Sequence, residues 1–124
     1  MKGIGADMAA RDPIGHQAYM SKLEDLQDVG VRFYTFPTTV AYVMEEAAKR
    51  QMKVVVLDRP NPVNGWQIEG PSLETAAVGF TGYLASMPIR HGLTIGELAR
   101  LYNGEAHIGC DLDVVPMKGW ARSE

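Results

Sequence analysis

KVVVLDRPNPVNGWQIEG, Lys53 to Gly70, joins an apolar run to a stiff polar loop. Val54, Val55, Val56 and Leu57 are uninterrupted and apolar, which predicts a strand buried on both faces. Asp58, Arg59, Pro60, Asn61, Pro62, Val63, Asn64 and Gly65 follow at once. The two prolines cannot donate to a ladder, and each holds its predecessor extended. A carboxylate, a guanidinium and two amides therefore stand just beyond the carboxyl end of a central strand, where ligands sit in open α/β sheets. Glu69 belongs to the same excursion, between Ile68 and Gly70-Pro71. The plain alternative is a structural turn, with Asp58 paired to Arg59 and the asparagines bonding their own backbone. Spacing alone does not separate the two.

Upstream, Pro37 and Thr38 or Thr39 open a helix that runs to about Gln51. Its apolar stripe is Val40, Val43, Met44, Ala47 and Ala48. Glu45–Lys49 and Glu46–Arg50 are i,i+4 pairs with the acid first, the favourable order on an exposed face, and read as a solvated surface. Before the helix, EDLQDVGVRFYTF (Glu24 to Phe36) predicts an extended Val31–Phe36, with Arg32 and Tyr34 on one face. Asp28 precedes the turn at Gly30. Asp28, Arg32 and Tyr34 are then either an acid, an anion clamp and a phenol around a pocket, or a salt bridge with an aromatic lid. His16 to Leu26 shows a weak helical stripe, and Met1 to Gly15 reads as a loose arm.

Downstream, Gly70 to Gly92 lacks periodicity and exceeds an ordinary loop, so it is functional or locally folded. Arg90 and His91 close it. Thr94-Ile95-Gly96-Glu97 is a capping box. Ile95, Leu98, Ala99 and Tyr102 line the inner face of the helix it starts, and Gly104 is placed to end it. Leu112 to Met117 is the next strand. His107, Cys110, Asp111 and Asp113 match no zinc pattern and read as structural, so no metal is expected.

The 124 residues give room for one small domain, and 46% hydrophobic with 22% charged residues fits a globular chain. A net charge of -3 without a basic cluster gives no footprint for nucleic acid. Cys110 is alone, so no intrachain disulfide is available. No signal peptide or membrane span is written in the chain, which reads as cytoplasmic. There is no P-loop, G-x-G-x-x-G or G-x-S-x-G, and no cofactor is expected.

DLQDVGVRFYT (Asp25–Thr35), VVLDRPNPVNG (Val55–Gly65), EGP (Glu69–Pro71), IRHGLTIGELARLYNGE (Ile89–Glu105) and LDVVPMKGW (Leu112–Trp120) together resemble the DUF1343 family, to which exo-β-N-acetylmuramidases of peptidoglycan turnover belong. The resemblance implies an α/β fold: a Rossmann-like three-layer fragment with a mostly parallel sheet over residues 25–124, preceded by a divergent arm or helix over 1–24. The family pattern also has an N-terminal Glu-His-Gly-type loop and an apolar strand, which Met1–Glu24 does not match, and a second domain beyond the Trp120 position.

The implied activity is removal of non-reducing-end N-acetylmuramic acid from peptidoglycan fragments. Glycoside hydrolysis uses two carboxyl groups, one to protonate the leaving oxygen and one to attack or activate water. Asp28, Asp58 and Glu69 lie on matching motif positions. Glu69, with apolar sequence neighbours, suits the acid, and Asp58, beside Arg59, suits an ionised role. Arg32, Arg59 or Arg90 would hold the lactyl carboxylate of a muramic-acid-containing saccharide. Asn61, Asn64, Tyr34 and His91 would bond hydroxyls or the acetamido group. The alternatives are a non-catalytic sugar-binding remnant, or a homo-oligomer formed through exposed sheet edges.

Overall fold

A computed structural model of the chain describes residues 28–123. The expected arm and the helix of His16–Leu26 lie outside the described residues. In order, the elements are α1 (Phe36–Lys49), β1 (Lys53–Leu57), β2 (Glu69–Ser72), a 3-10 turn (Thr75–Ala77), β3 (Pro88–Arg90), α2 (Ile95–Glu105) and β4 (Asp111–Val115). β1 and β4 pair in parallel, with Val54 opposite Leu112 and Val56 opposite Val114. β2 and β3 form a small antiparallel sheet with a register irregularity between Glu69 and Ser72. The fold is α/β.

Strand alternation explains which face is covered. Val54, Val56 and Leu112 share one face and pack against Ala41, Met44 and Ala47 of α1 and Leu98, Ala99 and Tyr102 of α2. Met44, Leu98 and Tyr102 are completely enclosed, each contributing about 1.5–3 kcal/mol of burial. The opposite face carries Lys53, Val55, Leu57, Asp111, Asp113 and Val115, of which all but Val55 are exposed, Leu57 and Val115 being the apolar ones. Both-face burial of β1 is thus not found: its ends are exposed and Val54–Val56 are half-buried among the described residues.

The structure also changes or narrows other expectations. Val31–Phe36 is not a strand. Val31 makes an isolated bridge to Arg90, the Tyr34 N–H turns back to the Val31 carbonyl at 3.3 Å, and α1 already begins at Phe36. Arg32 and Tyr34 therefore do not share a strand face. The turn closed by the Tyr34 N–H and the start of α1 at Phe36, with Pro37 in its first turn, leave no extended Val31–Phe36 run. Gly70–Gly92 is locally folded, since its two ends become part of β2 and β3. Glu45 is not merely solvated; its carboxylate accepts the Tyr83 hydroxyl, and Lys49 pairs with Glu46, at i,i+3, rather than with Glu45. The capping box is present as read, with Thr94 Oγ1 accepting the Glu97 N–H and Glu97 Oε2 accepting the Thr94 N–H. Gly104 lies within α2 rather than after it.

Candidate functional site

The site is assembled by one pairing chain. The Arg32 N–H donates to the Ile89 carbonyl at 2.8 Å and Val31 bridges Arg90, so the segment after Asp28 lies along β3. β3 lies along β2, which sets Glu69 directly opposite Arg90. The loop after β1 then folds back on the turn between β3 and α2. Asn61 Nδ2 donates to the Leu93 carbonyl at 3.0 Å, and its Oδ1 accepts the Val63 N–H at 2.9 Å. Gly30, at φ +84°, lies so close that a Cβ there would collide with Asn61 Oδ1. Asp28, Arg32, Asn61, Glu69, Arg90 and His91 are thereby brought onto neighbouring segments.

Asp28 and His91 form a buried pair. Asp28 Oδ2 lies 3.7 Å from His91 Nε2, with side-chain exposures of 3% and 1%. His91 Nδ1 accepts the Leu93 N–H at 3.1 Å, so the neutral ring carries its proton on Nε2, facing the carboxyl group. Burial pushes the Asp28 carboxyl above its usual range, opposed by the Gly30 and Val29 N–H groups and by His91. Burial pushes the His91 imidazole below its usual range, opposed by Asp28. Desolvation dominates both, and it favours a pair without net charges.

Asp58 is engaged elsewhere. Its Oδ1 accepts the Gly96 N–H at 2.8 Å and the Arg59 N–H at 3.0 Å, and its Oδ2 accepts the Thr94 hydroxyl at 3.0 Å. The carboxylate thus sits on the N-terminus of α2, where the helix dipole and unpaired N–H groups favour negative charge. Asn64 is likewise turned inward: Oδ1 accepts the Trp66 and Gln67 N–H groups, and Nδ2 donates to Gln67 Oε1.

Glu69 is not in an apolar pocket. Its side chain is 57% exposed and its Oε2 accepts Arg90 Nη1 at 2.7 Å. The apolar setting that its sequence neighbours promised is absent, because Ile68 faces solvent. Nε of Arg32 and Nε of Arg90 are buried donors without an acceptor in the described chain. Tyr34 is exposed, edge-on to Phe36 at 4.9 Å, and Arg59 is exposed on the loop.

Thr94 and Gly96 as partners of Asp58 were not singled out by the sequence, although the adjacent capping box was a local signal. Arg122 carried no signal at all, yet its guanidinium reaches the carbonyls of Gly65 and Gly92 and the carboxylate of Glu97. Among the described residues, no three His, Cys, Asp or Glu side chains are grouped to hold a metal ion.

A parallel pair covered by helices, with a polar loop beyond β1 and a hairpin that carries charged groups, is part of an α/β domain of the DUF1343 kind. Residues 21–124 match the family described as exo-beta-N-acetylmuramidase NamZ, N-terminal, and the chain belongs to that family. The peptidoglycan beta-N-acetylmuramidase NamZ of Bacillus subtilis (strain 168) is 54% identical over 98 residues, which are 79% of this chain and 23% of that protein. The chain thus spans about a quarter of this curated relative. Crystal structures of two DUF1343 family proteins from Bacteroides fragilis NCTC 9343 are also similar. One has a TM-score of 0.74 at 43% identity, covering 81% of this chain and 26% of its own. The other has a TM-score of 0.74 at 39% identity, covering 87% and 32%.

Proposed function

We propose that this chain is part of an exo-β-N-acetylmuramidase, a glycoside hydrolase acting on non-reducing-end N-acetylmuramic acid of peptidoglycan fragments. The observation that carries the reading is the 54% identity to a protein of that name over 98 residues. The site geometry supports a division of labour among the three carboxylates. Glu69 is the one a saccharide reaches, being exposed and oriented by Arg90. Asp28 is inclined to keep its proton, since burial raises its pKa, and acts beside His91 inside the fold. Asp58, held by Gly96 and Thr94, fixes the loop to α2.

The lactyl carboxylate of muramic acid would be bound by Arg32, Arg59 or Arg90, of which Arg59 is exposed and Arg90 already pairs with Glu69. Tyr34 stands exposed to bond a hydroxyl. Asn61 and Asn64 act through the loop, because their amides are already committed to it. His91 acts through Asp28 rather than by touching sugar. The test is chromophore release from an aryl β-N-acetylmuramide by the purified monodisperse chain. Release abolished by Glu69→Gln supports a complete catalytic site; release unaffected by that change removes Glu69 from the chemistry.

A second reading, a saccharide-binding or self-associating piece without turnover, is favoured by Leu57 and Val115, exposed on the uncovered face of the parallel pair. A folded but silent sample, dimeric by light scattering, would support it over hydrolysis.

A further inference from the structure

Arg122 stands at a junction of three segments that are far apart in sequence. Its Nη1 donates to the carbonyls of Gly65, in the loop after β1, and of Gly92, in the turn after His91. Its Nη2 donates to Glu97 Oε1 in the first turn of α2, and the guanidinium lies 5.5 Å from the centroid of the Trp120 ring. The stem is packed too: a Cβ added at Gly65 would lie 3.3 Å from Trp120 Cζ2 and 3.5 Å from Arg122 Cγ. Gly92, at φ +67°, approaches the same loop from the other side, with 2.9 Å from a built Cβ to the Gln67 carbonyl oxygen.

Helix electrostatics do not account for this placement. A cation near a helix N-terminus meets the positive end of the dipole, a disfavoured position. Glu97 offsets that cost while continuing to cap α2 through its other oxygen. What the guanidinium gains is its fork: several donors in one plane, able to hold two carbonyls and a carboxylate at once. An ammonium group has one centre and cannot span the same three acceptors with one geometry.

We infer that Arg122 is the positioning residue of the site, fixing the 58–70 loop and the His91–Gly92 turn against α2 so that the saccharide-binding groups on them keep one arrangement. This rests on the muramidase reading for its functional consequence but not for its structural one.

The test is amide hydrogen exchange on the whole chain, comparing Arg122→Met and Arg122→Lys with the unaltered protein. Val63, Gln67 and Leu93 report the loop and the turn, because each N–H is held by a side chain of that region. Met52, bonded to the Ala47 carbonyl at the end of α1, is the reference. Loss of the charged tie should speed exchange at the three reporters by roughly tenfold or more and leave Met52 unchanged. Arg122→Lys keeps the charge and the stem, and should fail to restore protection; it also decides the question if Arg122→Met does not fold. Reporters as protected in the variants as in the parent overturn the inference.

Titration with N-acetylmuramic acid supplies the second readout. Arg122→Lys should bind it roughly tenfold more weakly, whereas an affinity moved by neither substitution overturns the inference. If the unaltered chain binds no muramic acid, the muramidase reading fails, and the exchange data still decide the role of Arg122.

Discussion

Gly96→Ala should destabilise the protein, against the rule that alanine is the better helix former. Propensity alone favours alanine by up to about 1 kcal/mol. At Gly96, however, a Cβ would lie 2.6 Å from Val114 Cγ1 and 2.8 Å from both Cγ and Oδ1 of Asp58. Forcing β4 or Asp58 aside is overpacking, which costs about 1–3 kcal/mol. Displacing Asp58 also disturbs the bonds from the Gly96 N–H and the Thr94 hydroxyl, and a hydrogen bond to a charged group contributes about 1.5–3 kcal/mol. After the propensity gain, a net loss of about 2–4 kcal/mol remains, since the terms overlap. That is a fall in Tm of roughly 6–20 °C for a chain of this size. The internal control is Gly104→Ala in the same helix, where nothing lies within 4 Å of the built Cβ. It should raise Tm by a few degrees, from a gain of about 0.5–1 kcal/mol. Thermal unfolding by circular dichroism reads both. If Gly96→Ala melts at or above the parent, the contact between Asp58 and the start of α2 is not what holds the loop.

The buried Asp28–His91 pair predicts opposite pH slopes in its two single variants. Asp28 has a raised pKa, so its contribution is fully present below about 3.9, the unfolded value, and is lost as pH rises through the higher folded value. His91 has a lowered pKa, so its contribution is present above about 6.5 and is lost as pH falls through the lower folded value. Asp28→Asn should therefore lose stability on acidification, and His91→Gln on alkalinisation, in urea midpoints between pH 4 and 7; slopes of the same sign would contradict the burial argument. Leu98→Ala, at a fully enclosed position, should cost about 2–5 kcal/mol by denaturant unfolding, and a loss under 1 kcal/mol would mean the helices do not meet the sheet as described. Burial pushes the Cys110 thiol up, so disulfide reagents at pH 8 should modify it slowly in the native protein and quickly in denaturant. Equal rates would refute its enclosure.

What was legible in the sequence was what is local. Thr94-Ile95-Gly96-Glu97 carries its capping signal within four residues, and Val54–Val56 can be little else than a strand. The candidate site was read as a place, the loop after β1, and no arrangement for it was legible in the sequence. Asp58 finds Gly96 thirty-eight positions away, a distance no spacing rule covers. Glu69-Gly70-Pro71-Ser72 has no β-forming residue, and becomes a strand only because Pro88–Arg90 lies beside it. Val31–Phe36 shows the converse. Its β-formers and alternation are plain, yet the helix start at Phe36-Pro37 overrides them. Glu69 was given an acid's surroundings by its neighbours in sequence, whereas its neighbours in space are solvent and Arg90.

The central claim is that this chain's loop and hairpin recognise muramic acid, and the lactyl group is what distinguishes that sugar from N-acetylglucosamine. Isothermal titration of the purified chain with each sugar compares them directly. A guanidinium that meets the lactyl carboxylate should make N-acetylmuramic acid bind about tenfold or more tightly, the size of one charge-assisted contact. Equal affinity for the two sugars would contradict the account.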